Sequence, residues 1–168
     1  MPLMLPSVKK FVFALSITVA CFFIMRPFTP LNIVQFELAG SVEVAAKIIS
    51  EWTAEQINNV KVSIYLDFVF ILAYCAAFMF ACQAASIYSA VQGLIRMGSS
   101  IASLVWMAGV CDAIENIALL KALVKISQPS VSVAFYFATI KFAILTLALL
   151  FVMICVAIGF LQKVKGNQ

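Results

Sequence analysis

The chain has 168 residues, of which 65% are hydrophobic and 11% charged, with a formal net charge of +4 and no histidine. Soluble domains are nearer half apolar and a quarter charged, so a core of this length cannot hide so much apolar surface, and a bilayer must serve as solvent. The scattered positive charge makes no basic patch interleaved with aromatics, which argues against nucleic acid as a partner, and the lack of histidine removes the commonest metal ligand, haem ligand and general base.

The first predicted element is a membrane span over about residues 11–25, FVFALSITVACFFIM, extended by apolar flanks toward the ~20 residues a span needs. Lys9 and Lys10 before it resemble the basic start of a signal peptide, and TVAC at 18–21 faintly resembles a lipoprotein cleavage site. The following FFIM stays apolar, and Thr18 stands where such a site usually has Leu, so the segment reads as an uncleaved helix.

Residues 30–58 predict an amphipathic helix outside the membrane. Thr29 offers an N-cap hydroxyl and Pro30 suits the first helical position. Leu38, Val42, Ala45, Ile49 and Trp52 then share one face, and Glu43 and Lys47 can pair on another. Gly40 is a potential break near the start, and Asn58 and Asn59 mark the end. Two placements stay open: on the membrane surface, anchored by Trp52, or as a lid on the bundle.

Three further spans are predicted at about 62–85, 101–124 and 131–161. The segment 86–100, carrying Arg96, and the segment 125–130, carrying Pro129, read as loops. No repeat, low-complexity tract or boundary interrupts 1–168, which makes one domain. The expected fold is all-α: an integral-membrane antiparallel bundle of four transmembrane helices with the amphipathic helix between the first two. Lys9, Lys10, Arg96, Lys163 and Lys165 fall on one side, and Arg26, Lys47, Lys61, Lys121 and Lys125 on the other. The first group is concentrated in short segments, so the positive-inside rule places both termini in the cytoplasm.

The five cysteines each lie in an apolar segment and none forms a CxxC pair, so they read as buried small hydrophobes, with neither disulfide nor metal site expected.

The apolar third span carries GVCDAIENIALLKAL at 109–123. Asp112, Glu115 and Asn116 are spaced i, i+3, i+4 and share one helical face, with Gly109 one turn earlier allowing close approach of another helix. At ~1.5 Å per residue, Asp112, Glu115 and Lys141 lie ~14–18 Å inside one membrane face, with Asp67 at ~9 Å and Tyr74 at ~20 Å. Tyr136 adds a hydroxyl near the depth of Asp67. A charge at mid-bilayer costs roughly 2.5–3.5 kcal/mol, and four facing lipid would cost on the order of 10 kcal/mol, as much as a fold's stability. These groups must face inward and meet. Three carboxylates then oppose one ammonium, so either one or two carboxyls keep a proton or a cation or cationic ligand enters. Whether Glu37 and the amphipathic helix fold over the cluster is left open by the sequence.

FELAGSVEVAAKIISEW at 36–52, LDFVFILAY at 66–74, CDAIENIALL at 111–120 and ATIKF at 138–142 together resemble a family of small bacterial four-helix integral membrane proteins, over residues 36–142. The resemblance implies a bacterial inner-membrane location and a motif set of Glu37, Asp67, Asp112, Glu115, Asn116 and Lys141. It brings no substrate, cofactor or reaction.

Three functions compete. The cluster, with Tyr74, binds or relays a proton, an ion or a small lipophilic ligand, reached by a cavity from the outer face. Alternatively the cluster is interhelical glue in an accessory subunit of a larger membrane complex or a homo-oligomer, with Ala73, Ala76, Ala77, Ala81 and Ala84 forming a seam for partner helices. An enzyme using Asp112 and Glu115 as acid and base is the weakest of the three, since no nucleophile constellation, metal set or phosphate loop supports it and no cofactor is expected.

Overall fold

The computed structural model describes residues 4–166, which form helices joined by short connections, with no strand among the described residues. In chain order these are α1 (Met4–Met25), a 3-10 turn (Arg26–Phe28), α2 (Ile33–Glu37), α3 (Val42–Ser50), α4 (Ala54–Tyr88), α5 (Gln92–Val124) and α6 (Gln128–Gly166). Four of them, α1, α4, α5 and α6, are long and apolar enough to cross a membrane.

The single amphipathic helix expected over 30–58 is corrected to two short helices and the head of a third. Gly40 has φ +68°, a left-handed conformation that glycine alone takes freely, and it turns the chain between α2 and α3. Ser41 then caps α3 by accepting from the Val44 N–H at 3.4 Å. Thr53 starts α4 with a reciprocal cap: its hydroxyl accepts from the Gln56 N–H at 3.2 Å, and its own N–H donates to the Gln56 side chain at 2.8 Å. Asn58 and Asn59 therefore lie inside α4 rather than ending a helix. Thr29 caps no α-helix; α2 begins after Asn32. Glu43 and Lys47 form no ion pair.

These short helices make a cap on one end of the molecule. Phe36, Ala45, Ile48 and Trp52 are buried together with Ile64 of α4, Leu119 and Ala122 of α5, and Val131 and Ala134 of α6. Trp52, read as a possible surface anchor, is buried edge-on against Phe36 and donates from Nε1 to Asn32 at 2.8 Å. Gln128, in the first turn of α6, ties the bend down by donating to the Gly40 carbonyl at 3.0 Å and accepting from the Val42 N–H at 3.2 Å.

α4, α5 and α6 pack on one another, and α1 packs on α4. Cys82 meets Gly98, Cys75 meets Gly109 and Asp67 meets Asn116, so rising numbers in α4 face falling numbers in α5. The segment expected as a loop over 86–100 is mostly helix; the connection is three residues, with Ala90 at φ 55°. Its glycine and serines mark a tight helix interface instead: a Cβ on Gly98 would stand 2.5 Å from the Ser86 hydroxyl. Ala73, Ala77 and Ala84 are buried within the chain's own fold. A second apolar cluster, from Ile71 to Cys155, fills the half away from the cap.

Candidate functional site

Between the two apolar clusters lies one polar layer. Asp112, Glu115 and Asn116 project from one face of α5, as their spacing requires, and all three are buried. Gly109 lets α4 come close: a Cβ there would stand 2.6 Å from Cys75 Sγ. From α6, Lys141 places Nζ 2.7 Å from Asp112 Oδ1, 2.8 Å from Glu115 Oε2 and 3.6 Å from Glu37 Oε2. Every ion pair among the described residues therefore belongs to this one ammonium. The Phe142 ring, next in the chain, covers it at 4.9 Å. The sequence reading missed this ring, although its only signal was adjacency to Lys141.

The acids are held differently. Asp112 has both oxygens partnered, since Lys141 donates to Oδ1 and the Tyr74 hydroxyl donates to Oδ2 at 2.8 Å. Asp67 is half-buried and does not reach Lys141; it accepts from Asn116 Nδ2 at 2.7 Å and forms a satellite pair. Glu115 is 0% exposed, yet neither of its oxygens has a hydrogen-bond partner; Lys141 lies near Oε2 but outside bonding angles. Glu37 Oε2, at the end of α2, is also buried and without a hydrogen bond. Burial is the largest influence on the Glu37 carboxyl and pushes it up from its ordinary 4.5; the Lys141 ammonium opposes this.

All seven expected residues thus sit in one layer, and Glu37 completes it from the cap. Tyr136 does not: it is 63% exposed and points away from the cluster. The arrangement sets four carboxyls against one ammonium, a surplus of three negative charges if all ionise. No three His, Cys, Asp or Glu side chains among the described residues are placed to hold a metal ion. A cavity of about 420 Å³ opens in the cap between the 27–32 turn and Trp52, Gln56 and Asn59, but no cluster residue lines it.

No protein-family model matches the chain, and neither does any curated protein or solved structure.

Proposed function

We propose that the chain is a small integral membrane protein whose buried layer binds a proton between Glu37 and Glu115 and passes it on when the cap moves. One observation carries the reading: three buried carboxylate oxygens, on Glu37 and Glu115, have no hydrogen-bond donor. Lys141 offsets part of the charge but hydrogen-bonds neither residue, and a proton shared by the pair gives two of the three oxygens a hydrogen bond. A metal cation fits less well, because the Lys141 ammonium already occupies the centre of the acids. A lipophilic ligand fits less well because the cap cavity does not reach the layer.

The surroundings complete the proposal. The four long helices cross the bilayer as an antiparallel bundle, with both termini in the cytoplasm; each side carries five cations, and the concentration of Lys9, Lys10, Arg96, Lys163 and Lys165 in short stretches supports that orientation. The cap then stands on the outer face. The resemblance described above supports the inner membrane of a bacterium. The second reading makes the layer structural and the protein an accessory subunit or homo-oligomer. What favours it is that Tyr74, Asn116 and Lys141 link α4, α5 and α6 at one level.

Infrared spectroscopy of the protonated-carboxyl band, from about pH 5 to pH 9, separates the two. The expected result is a titrating band in the wild type that Glu37→Gln and Glu115→Gln each remove. No band at any pH, or a band that neither variant changes, leaves only the structural reading.

A further inference from the structure

At the end opposite the cap, α1 and α6 each pack on α4, and a groove of about 740 Å³ stays open between them. Ala81, Ala84 and Ala85 of α4 form its floor, with Phe11 of α1 and Val156 of α6 on its walls and Tyr88 at its end. At the Tyr88 end α6 sits so close to α4 that a Cβ on Gly159 would enter the Tyr88 ring and stand 2.6 Å from its carbonyl oxygen. The lining is almost wholly apolar.

The Tyr88 end of the groove is cationic. Lys10 Nζ lies 5.8 Å from the centre of the Phe80 ring, and Lys163 Nζ lies 4.7 Å from that of Tyr88. Lys9, Arg96 and Lys165 belong to the same end. No acid does: the chain's seven Asp and Glu lie in the cap, at the head of α4 or in the polar layer. All the ion pairs among the described residues are made by Lys141, so these five cations have no carboxylate partner there.

We infer that this groove is a binding site for one anionic phospholipid, with an acyl chain along the alanine floor and the phosphate at Lys163, beside Tyr88 at the groove's end. The inference rests on the membrane reading and is independent of any proton in the polar layer. An apolar trough with a cationic end needs a molecule that is apolar along its length and anionic at one end. Free phosphate leaves the trough unfilled. A partner helix, ~10 Å across and ~30 Å long, occupies roughly 2,000 Å³ and offers at most the partial negative charge of its C-terminus to the lysine. A zwitterionic lipid fills the trough and leaves the cations unpaired.

The test is native mass spectrometry of the protein in mild detergent, titrated with phosphatidylglycerol and with phosphatidylcholine. Wild type is expected to retain one phosphatidylglycerol in preference to phosphatidylcholine. The exposed Lys163→Gln is expected to weaken phosphatidylglycerol about 5-fold and erase the preference, whereas Lys10→Gln, at Phe80 about two turns away, is expected to change it little. Val156→Trp, which fills the groove from its open side, is expected to weaken both lipids. Equal binding of the two lipids by wild type overturns the inference, as does an unchanged preference in the Lys163→Gln variant. A detergent-stable dimer that excludes lipid and is trapped by a disulfide in the Val156→Cys variant also overturns it, in favour of a second copy. Release of the protein from membranes by alkaline carbonate would sink the membrane reading itself, a separate result.

Discussion

Glu37 of the cap lies 3.6 Å from Lys141 of α6, so closure of the cap and the charge of the polar layer share one contact. The cap's remaining hold is apolar packing, the Gln128 tether and the hydrogen bond between the Thr29 and Ser63 hydroxyls at 2.7 Å. Whatever changes the charge on Glu37 or Lys141 changes how firmly the cap sits.

The pH dependence follows in sign. Burial raises the Glu37 carboxyl above 4.5, so the folded protein keeps a proton that the unfolded chain releases. Stability from this source is complete below 4.5 and is lost as pH rises through the folded value. Thermal melting in detergent is expected to fall from acid toward neutral pH in the wild type, and Glu37→Gln is expected to flatten that slope. An unchanged slope in the variant would remove Glu37 from the account.

Lys141→Met leaves Asp112 and Glu115 buried without their cation and is expected to destabilise by about 3–5 kcal/mol. Adding Asp112→Asn and Glu115→Gln to the same chain removes the uncompensated charge, and much of the loss should return. Denaturation of the single and triple variants in detergent checks both steps. A triple variant no better than Lys141→Met would mean that the ammonium acts other than by pairing these acids.

Much of the site was legible before the fold. The i, i+3, i+4 spacing of Asp112, Glu115 and Asn116 fixed their common face, and the cost of lipid-facing charge forced Asp67 and Lys141 toward them. Tyr136 shows where depth alone fails. It precedes Lys141 by five residues, about 140° around the helix, so it shares the level of Asp67 but not the face of Lys141. The cap was half legible: the apolar face of Ala45 and Trp52 is real, but a long helix was not. The Thr53–Gln56 capping signal lay in the sequence and places a new helix start where one continuous helix was expected. Which carboxyl takes which partner was not legible, because it depends on side-chain reach across three helices.

Two glycines of α5 should respond in opposite ways to alanine. At Gly109 the new methyl would stand 2.6 Å from Cys75 Sγ and 3.1 Å from Ile71, and the buried Cys75 side chain must shift, at a cost of about 1–3 kcal/mol. At Gly93 nothing lies within 4 Å, and alanine is expected to stabilise the helix by up to about 1 kcal/mol. Melting temperatures of the two variants test the packing directly; a harmless Gly109→Ala would put the α4–α5 contact in error.

The two tryptophans report on the cap. Trp52 is 7% exposed and enclosed by the cap, whereas Trp106 of α5 is 41% exposed among apolar side chains. In vesicles containing brominated lipid, the Trp52→Phe protein, which retains Trp106, is expected to be strongly quenched. The Trp106→Phe protein, which retains Trp52, is expected to be quenched little. Strong quenching of Trp52 would put the cap on the lipid surface instead.

Because the polar layer divides the interior, the apolar side chains near the cap and those from Ile71 to Cys155 form separate packed halves. The far half keeps its own contacts among α4, α5 and α6 when the cap half loosens. Amide exchange should therefore show two cooperative units of unequal protection, with the boundary at Asp67, Asp112 and Lys141. The molecule can breathe at one face while its other face holds the helices in register.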